Sequence, residues 1–194
     1  ITTGRISQKQ LLFEDQHLER LTKASRYFAY PFDPEELRQK IEEECQACDS
    51  HQDYRLRISL SKSGEMELSR QILTPLSPSF CKAKLCLQEA DLNQSFTYFK
   101  TTHRPHLSLG EQEKIYHNAA GELLETSIGN LVLKIAGKLY TPLTSLGILP
   151  GIYRQHLLET GQVKEKIMTL EDLNQAEAIY GCNAVRGLYE LEVI

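Results

Sequence analysis

The chain has 194 residues, 41% of them hydrophobic and 25% charged, with a formal net charge of −4. That length supports one or two globular domains with a sizeable core, and the balance excludes a disordered chain. The charge leaves no basic footprint for nucleic acid, and no apolar run approaches the ~20 residues of a membrane helix. No secretory leader pattern stands at the start. Because the chain begins at Ile1 rather than Met, loss of a short N-terminal piece is expected. Five scattered cysteines, Cys45, Cys48, Cys81, Cys86 and Cys182, are expected as reduced thiols in a cytoplasmic protein.

Residues 1–6 and 11–14 read as short strands joined by a turn. Asp15 is expected as the N-cap of a helix with Leu18, Leu21, Ala24 and Phe28 on one face. A second helix has a sharper start, with Asp33 as N-cap, Pro34 in the first turn and Glu36 closing a capping pattern. Its apolar stripe is Leu37, Ile41, Cys45 and Cys48, so the CxxC is expected as core-facing thiols rather than a metal or redox site. Tyr54 to Leu60 alternates apolar and polar, the pattern of a half-buried strand. Lys62-Ser63-Gly64 is its hairpin turn, and another strand is expected near Lys82–Gln88.

Asp91–Ser95 is polar and turn-rich, a linker between lobes at 1–92 and 93–194. Strand-like runs follow at 122–126, 129–135 and 137–141, then a helix after Pro150-Gly151, then strands near 163–168, 177–182 and 187–193. Alternating strands and helices in two halves predict an α/β (α+β) fold with mixed sheets.

Lys100 is the first candidate for chemistry. A surface lysine is ordinarily solvated and idle, but this one follows Phe96, Tyr98 and Phe99, whose rings would desolvate its ammonium as an imine-forming lysine requires. Glu125 lies between strand-like segments, either as a solvated carboxylate or as an acceptor for a protonated ring nitrogen. Gly151-Ile152-Tyr153-Arg154 opens a helix, where free N–H groups favour an anion.

FKTTHRPH around Lys100, GELLETSIGNL around Glu125, GILPGIYR ending at Arg154 and GCNAVRG around Asn183 occur in that order, after an HLER step at His17–Arg20. Each motif alone is weak, but their order and spacing over nearly the whole chain resemble the fold-type IV (class IV aminotransferase-like) pyridoxal-phosphate enzymes. Within them the motifs most resemble the 4-amino-4-deoxychorismate lyases. The resemblance implies a two-lobed fold, pyridoxal 5′-phosphate as cofactor and Lys100 as the Schiff-base lysine, with Arg104 at the place of an arginine common in the lyases. It implies Glu125 at the pyridine nitrogen. Arg20, the backbone of Ile152 and Tyr153, and Asn183-Ala184 would surround the phosphate. In ITTGR it implies Thr3 as an assisting hydroxyl. Arg5, on the same strand face, and Arg186 are candidate contacts for a substrate carboxylate, and His103 beside Lys100 is a weaker candidate for touching the cofactor.

The chain also departs from the family pattern. Tyr153 stands where many members have Thr, and Leu60 where many have an arginine that D-amino-acid aminotransferases use for a substrate carboxylate. The Lys100–Glu125 stretch is short for the family, implying a trimmed helix. The resemblance therefore implies a lyase converting 4-amino-4-deoxychorismate, a small-molecule substrate, to 4-aminobenzoate and pyruvate in folate biosynthesis. Alternatives are an aminotransferase for D- or branched-chain amino acids and a non-catalytic relative of the fold. A cytoplasmic homodimer without metal, nucleic acid or membrane partners is expected.

Overall fold

The computed structural model describes residues 1–88, 95–107 and 110–194, which divide into two compact units, Ile1–Pro75 and Leu76–Ile194. The linker expected at Asp91–Ser95 falls, but for Ser95, outside the described residues. Among the described residues no helix is long and apolar enough to cross a membrane.

The first unit runs β1 (Thr2–Ser7), β2 (Gln10–Leu11), α1 (Glu14–Phe28), α2 (Pro34–Gln46), β3 (Tyr54–Leu60) and β4 (Met66–Ile72). Its strands form an antiparallel sheet in the order β2-β1-β3-β4. Alternation decides the faces: Ile6, Leu56 and Ile58 turn inward against Leu21, Leu37 and Ile41 of the helices. Arg5, Arg55 and Arg57 take the opposite parity. Asp33 caps α2 through the N–H groups of Glu35 and Glu36, and Pro34 begins the helix as expected. Cys45 and Cys48 are buried in this core, and burial pushes the Cys45 thiol up to about 11, which keeps it protonated and unreactive.

The start of α1 differs from the sequence expectation. The residue before the helix is Phe13 at φ 60°, with no side-chain cap, so Asp15 lies inside the first turn. There it and Glu14 pair with Arg38 of α2 at 3.1 and 2.6 Å. The buried face of α1 is His17, Leu18, Leu21 and Ser25, while Ala24 and Phe28 are only half-buried. His17 explains the rotation: its Nδ1 hydrogen-bonds Thr2 Oγ1 at 2.6 Å, drawing that side of the helix onto β1. Gly4 leaves room for the ring, since a Cβ there would lie 2.6 Å from His17 Nε2.

The second unit begins with β5 (Lys82–Leu87) and the short α3 (Ser95–Tyr98). Next come β6 (Glu113–His117), β7 (Leu123–Thr126), β8 (Asn130–Ile135) and β9 (Lys138–Thr141). It continues through α4 (Ile152–Glu159), β10 (Val163–Glu165), α5 (Leu170–Gln175), β11 (Ala178–Asn183) and β12 (Gly187–Val193). The sheet order is β10-β9-β8-β11-β12-β5-β6-β7, and β7 pairs back onto β8 through Glu125 and Asn130, so the sheet closes on itself. β5 belongs here because it pairs in parallel with both β6 and β12.

β6 and α5 were not anticipated, and neither was the short α3. β6 occupies the stretch where the family resemblance implied a trimmed helix. Its signal was masked because Glu113 is fully buried, accepting a hydrogen bond from Tyr189 Oη at 3.1 Å. A carboxyl on the inner face breaks the apolar alternation, and burial raises its pKa. α5 starts at a reciprocal capping box between Thr169 and Asp172, a pattern that the sequence carried.

Candidate active site

The closure of the second unit's sheet builds the centre of the site. Glu125 on β7 lies opposite Asn130 on β8, which lies opposite Cys182 on β11, so the three share one cross-strand row. Glu125 is 2% exposed and receives an Arg104 Nη2 hydrogen bond at 3.1 Å. Burial pushes its carboxyl above the ordinary range, whereas Arg104, the backbone N–H of Leu149 and the charge of Lys100 pull it back. Lys100 itself is half-buried, two residues beyond α3. A buried carboxylate held by an arginine thus feels the charge of Lys100.

The start of α4 is joined to this centre. Asn130 Nδ2 donates to the Leu149 carbonyl at 2.9 Å, and Gly151 is the N-cap, with no side-chain cap over the first N–H groups. Arg154 turns inward at 2% exposure and anchors the helix to the Pro142 carbonyl at 2.7 Å and Glu165 at 2.5 Å. Tyr153 packs toward the turn after β11: a Cβ on Gly187 would lie 3.4 Å from its Oη. Ile152, Tyr153 and the Asn183–Gly187 turn are thereby neighbours. The Asn183 carboxamide is engaged in that turn, accepting from the N–H groups of Val185 at 3.0 Å and Arg186 at 2.9 Å. Its side chain holds Ala184 in place and leaves backbone as the turn's contribution to a ligand. Arg186 is half-buried, and His103 packs edge-on against Phe96 at 5.2 Å between centroids.

Thr3, Arg5 and Arg20 lie in the first unit. Thr3 and Arg5 share the sheet face away from the helices, opposite Arg57 and Arg55 respectively. Arg5 pairs with Asp53 at 2.5 Å. Arg20 is half-buried on α1, one turn beyond His17. The second unit therefore brings Lys100, Glu125 and the α4 start into one neighbourhood. Sequence reading missed Asn130 as a link, although it ends the ETSIGN motif, and gave Arg104 no partner.

The description "Amino-transferase class IV" belongs to the family whose profile matches residues 1–194. An uncharacterised Haemophilus influenzae protein is 38% identical over 68 residues, a match spanning 35% of this chain and 35% of that protein's own length. A crystal structure from Mesorhizobium loti, provisionally named an amino-acid aminotransferase, superposes with a TM-score of 0.88 at 26% identity. That match covers 100% of this chain and 98% of the other. A Haemophilus somnus structure provisionally named 4-amino-4-deoxychorismate lyase gives a TM-score of 0.76 at 24% identity, covering 96% of each chain.

Proposed function

The chain belongs to the class IV aminotransferase family, and from that premise we propose that it is a pyridoxal-phosphate lyase forming 4-aminobenzoate and pyruvate from 4-amino-4-deoxychorismate. Pyridoxal 5′-phosphate is the family's cofactor, and the residues of the second unit fit it. A fully buried carboxylate with a guanidinium, a backbone N–H and a lysine around it suits a protonated ring nitrogen, and this observation carries the reading.

When bound, the cofactor supplies an electron sink for the charge left as a proton departs beside the substrate amine. Lys100 would hold it covalently and move that proton at Nζ. Glu125 would receive the ring nitrogen, its carboxylate held by Arg104. Within the second unit, the N–H groups of Ile152 and Tyr153 and the backbone at Asn183-Ala184 would take the phosphate, and Arg186 a substrate carboxylate. From the first unit, the family resemblance offers Arg20 for the phosphate, Thr3 as an assisting hydroxyl and Arg5 for a carboxylate. Loss of the enolpyruvyl group leaves an aromatic product, so no keto acid partner is needed. Leu60, in place of a carboxylate-binding arginine, supports the lyase over D-amino-acid transamination.

Likeness to the Mesorhizobium loti structure favours a second reading, an amino-acid aminotransferase. Incubation with enzymatically generated aminodeoxychorismate separates the two. Equal amounts of pyruvate and 4-aminobenzoate with an unchanged cofactor spectrum support the lyase. Conversion of D-alanine and 2-oxoglutarate, with the cofactor cycling to its amine form and aminodeoxychorismate untouched, establishes the aminotransferase.

Arg20→Ala is expected to weaken cofactor affinity by about 1.5–3 kcal/mol, the scale of a hydrogen bond to a charged group, or roughly tenfold to over a hundredfold in dissociation constant. Equilibrium titration checks this, and an unchanged affinity removes Arg20 from the site. Thr3→Val keeps the shape and removes the hydroxyl; stopped-flow should show slower proton transfer with cofactor affinity retained. A homodimer is expected from the family, and sedimentation at micromolar concentration tests it, since an active monomer would refute it.

A further inference from the structure

Gly151 precedes α4 at φ −69°, ψ 140°, ordinary extended backbone that any residue adopts. Its lack of a side chain is therefore not a conformational requirement. Space is the cause: a Cβ at Gly151 would overlap Asn130 Oδ1 and stand 3.1 Å from its Cγ. The carboxamide cannot easily retreat. Asn130 is 3% exposed, its Nδ2 holds the Leu149 carbonyl at 2.9 Å, and its backbone lies between β7 and β11. Glu125 lies directly across from Asn130 on the neighbouring strand. One peptide segment, 149–151, is thus gripped by the carboxamide of the residue that pairs with Glu125.

We propose that Asn130 is a positioning residue, setting the start of α4 at a fixed place relative to Glu125 by holding Leu149 and packing against Gly151. The inference deepens the function proposed above and rests on its placement of the cofactor's phosphate at α4 and its ring nitrogen at Glu125. Under that placement, Asn130 touches neither end of the ligand but sets the distance between the groups that receive them.

Asn130→Ala, Gly151→Ala and the double variant test this by two measurements. In the cofactor-free protein, Gly151→Ala should lower the thermal midpoint, and the same change in the Asn130→Ala background should lower it little, because the obstructing oxygen has gone. In titrations, Asn130→Ala should weaken pyridoxal 5′-phosphate binding by about 5- to 50-fold, the scale of an orphaned buried carbonyl. Binding of pyridoxal, which lacks the phosphate, should weaken by less than about threefold, whereas a purely structural lesion would weaken both equally. Asn130→Asp, which keeps the shape and loses the donor, should show the same split should the alanine variant fold poorly. Additive thermal effects, or equal losses for the two ligands, overturn the inference. Failure of the unaltered protein to bind pyridoxal 5′-phosphate would instead sink the proposed function, and the thermal cycle on cofactor-free protein would still decide whether Asn130 and Gly151 are coupled.

Discussion

Lys100→Ala is expected to abolish turnover, with a loss of at least about 10²–10⁴-fold from the missing proton-transfer group alone. Removal of the covalent attachment point adds to that. The fold should survive, because Lys100 is half-buried on the segment after α3 and belongs to none of the apolar cores. Borohydride reduction followed by peptide mapping should place the cofactor skeleton on Lys100. The other lysines of this unit are poor alternatives on structural grounds. Lys134 pairs with Glu177 at 3.4 Å and is 42% exposed, and Lys138 stands exposed at the start of β9. The charge of Lys100, by contrast, helps pull the Glu125 carboxyl pKa down. A label on Lys114, Lys134 or Lys138 would defeat the assignment.

Arg104→Met should be the most damaging change to stability outside the hydrophobic cores. It removes the guanidinium from a carboxylate that is 2% exposed, and breaking such a pair costs about 3–5 kcal/mol. The cost should depend on pH in a definite direction. Burial raises the Glu125 pKa, so the folded protein holds this proton more firmly than the unfolded chain, and stability falls as pH rises from the ordinary carboxylate value through the folded one. Without Arg104 the folded value moves higher still, and that window extends upward. Urea unfolding across a pH series should therefore show the largest penalty near neutrality and recovery toward acid. Glu125→Gln in the same background should restore much of the lost stability, since no buried charge remains. By itself Glu125→Gln should lower turnover more than cofactor occupancy, because an amide oxygen still accepts a hydrogen bond but carries no charge to keep the ring nitrogen protonated. A penalty that stays constant with pH would show that Arg104 acts by packing rather than by charge.

Several elements were legible because their causes are local. The alternation of Tyr54–Leu60 gave β3 its limits, and Asp33-Pro34 gave α2 its start. The break between the strand-like runs at 129–135 and 137–141 falls at the Ala136-Gly137 turn, with φ 48° and 73°. The first helix was placed correctly but capped wrongly. Asp15 has the chemistry of a cap, yet Phe13 takes the left-handed conformation and Arg38, from another helix, claims the carboxylate. β6 was missed because Glu113 on its inner face finds Tyr189 from a strand 76 residues away.

The sequence by itself determined the family, through five short signatures in order, and it determined most strands and helices, because capping, alternation and turn chemistry act within a few residues. It also singled out Lys100 and Glu125, whose residue types suit imine formation and charge pairing. Only the tertiary structure decided how those groups are held. The ring of strands closes where Glu125 meets Asn130, the Arg104–Glu125 pair joins residues 21 apart, and Asn130 reaches Leu149 across 19. Each contact depends on strand register and on a loop folding back against the sheet. A shift of one residue would turn Glu125 or Asn130 to the other face, so their meeting is a property of the closed sheet and not of either local sequence.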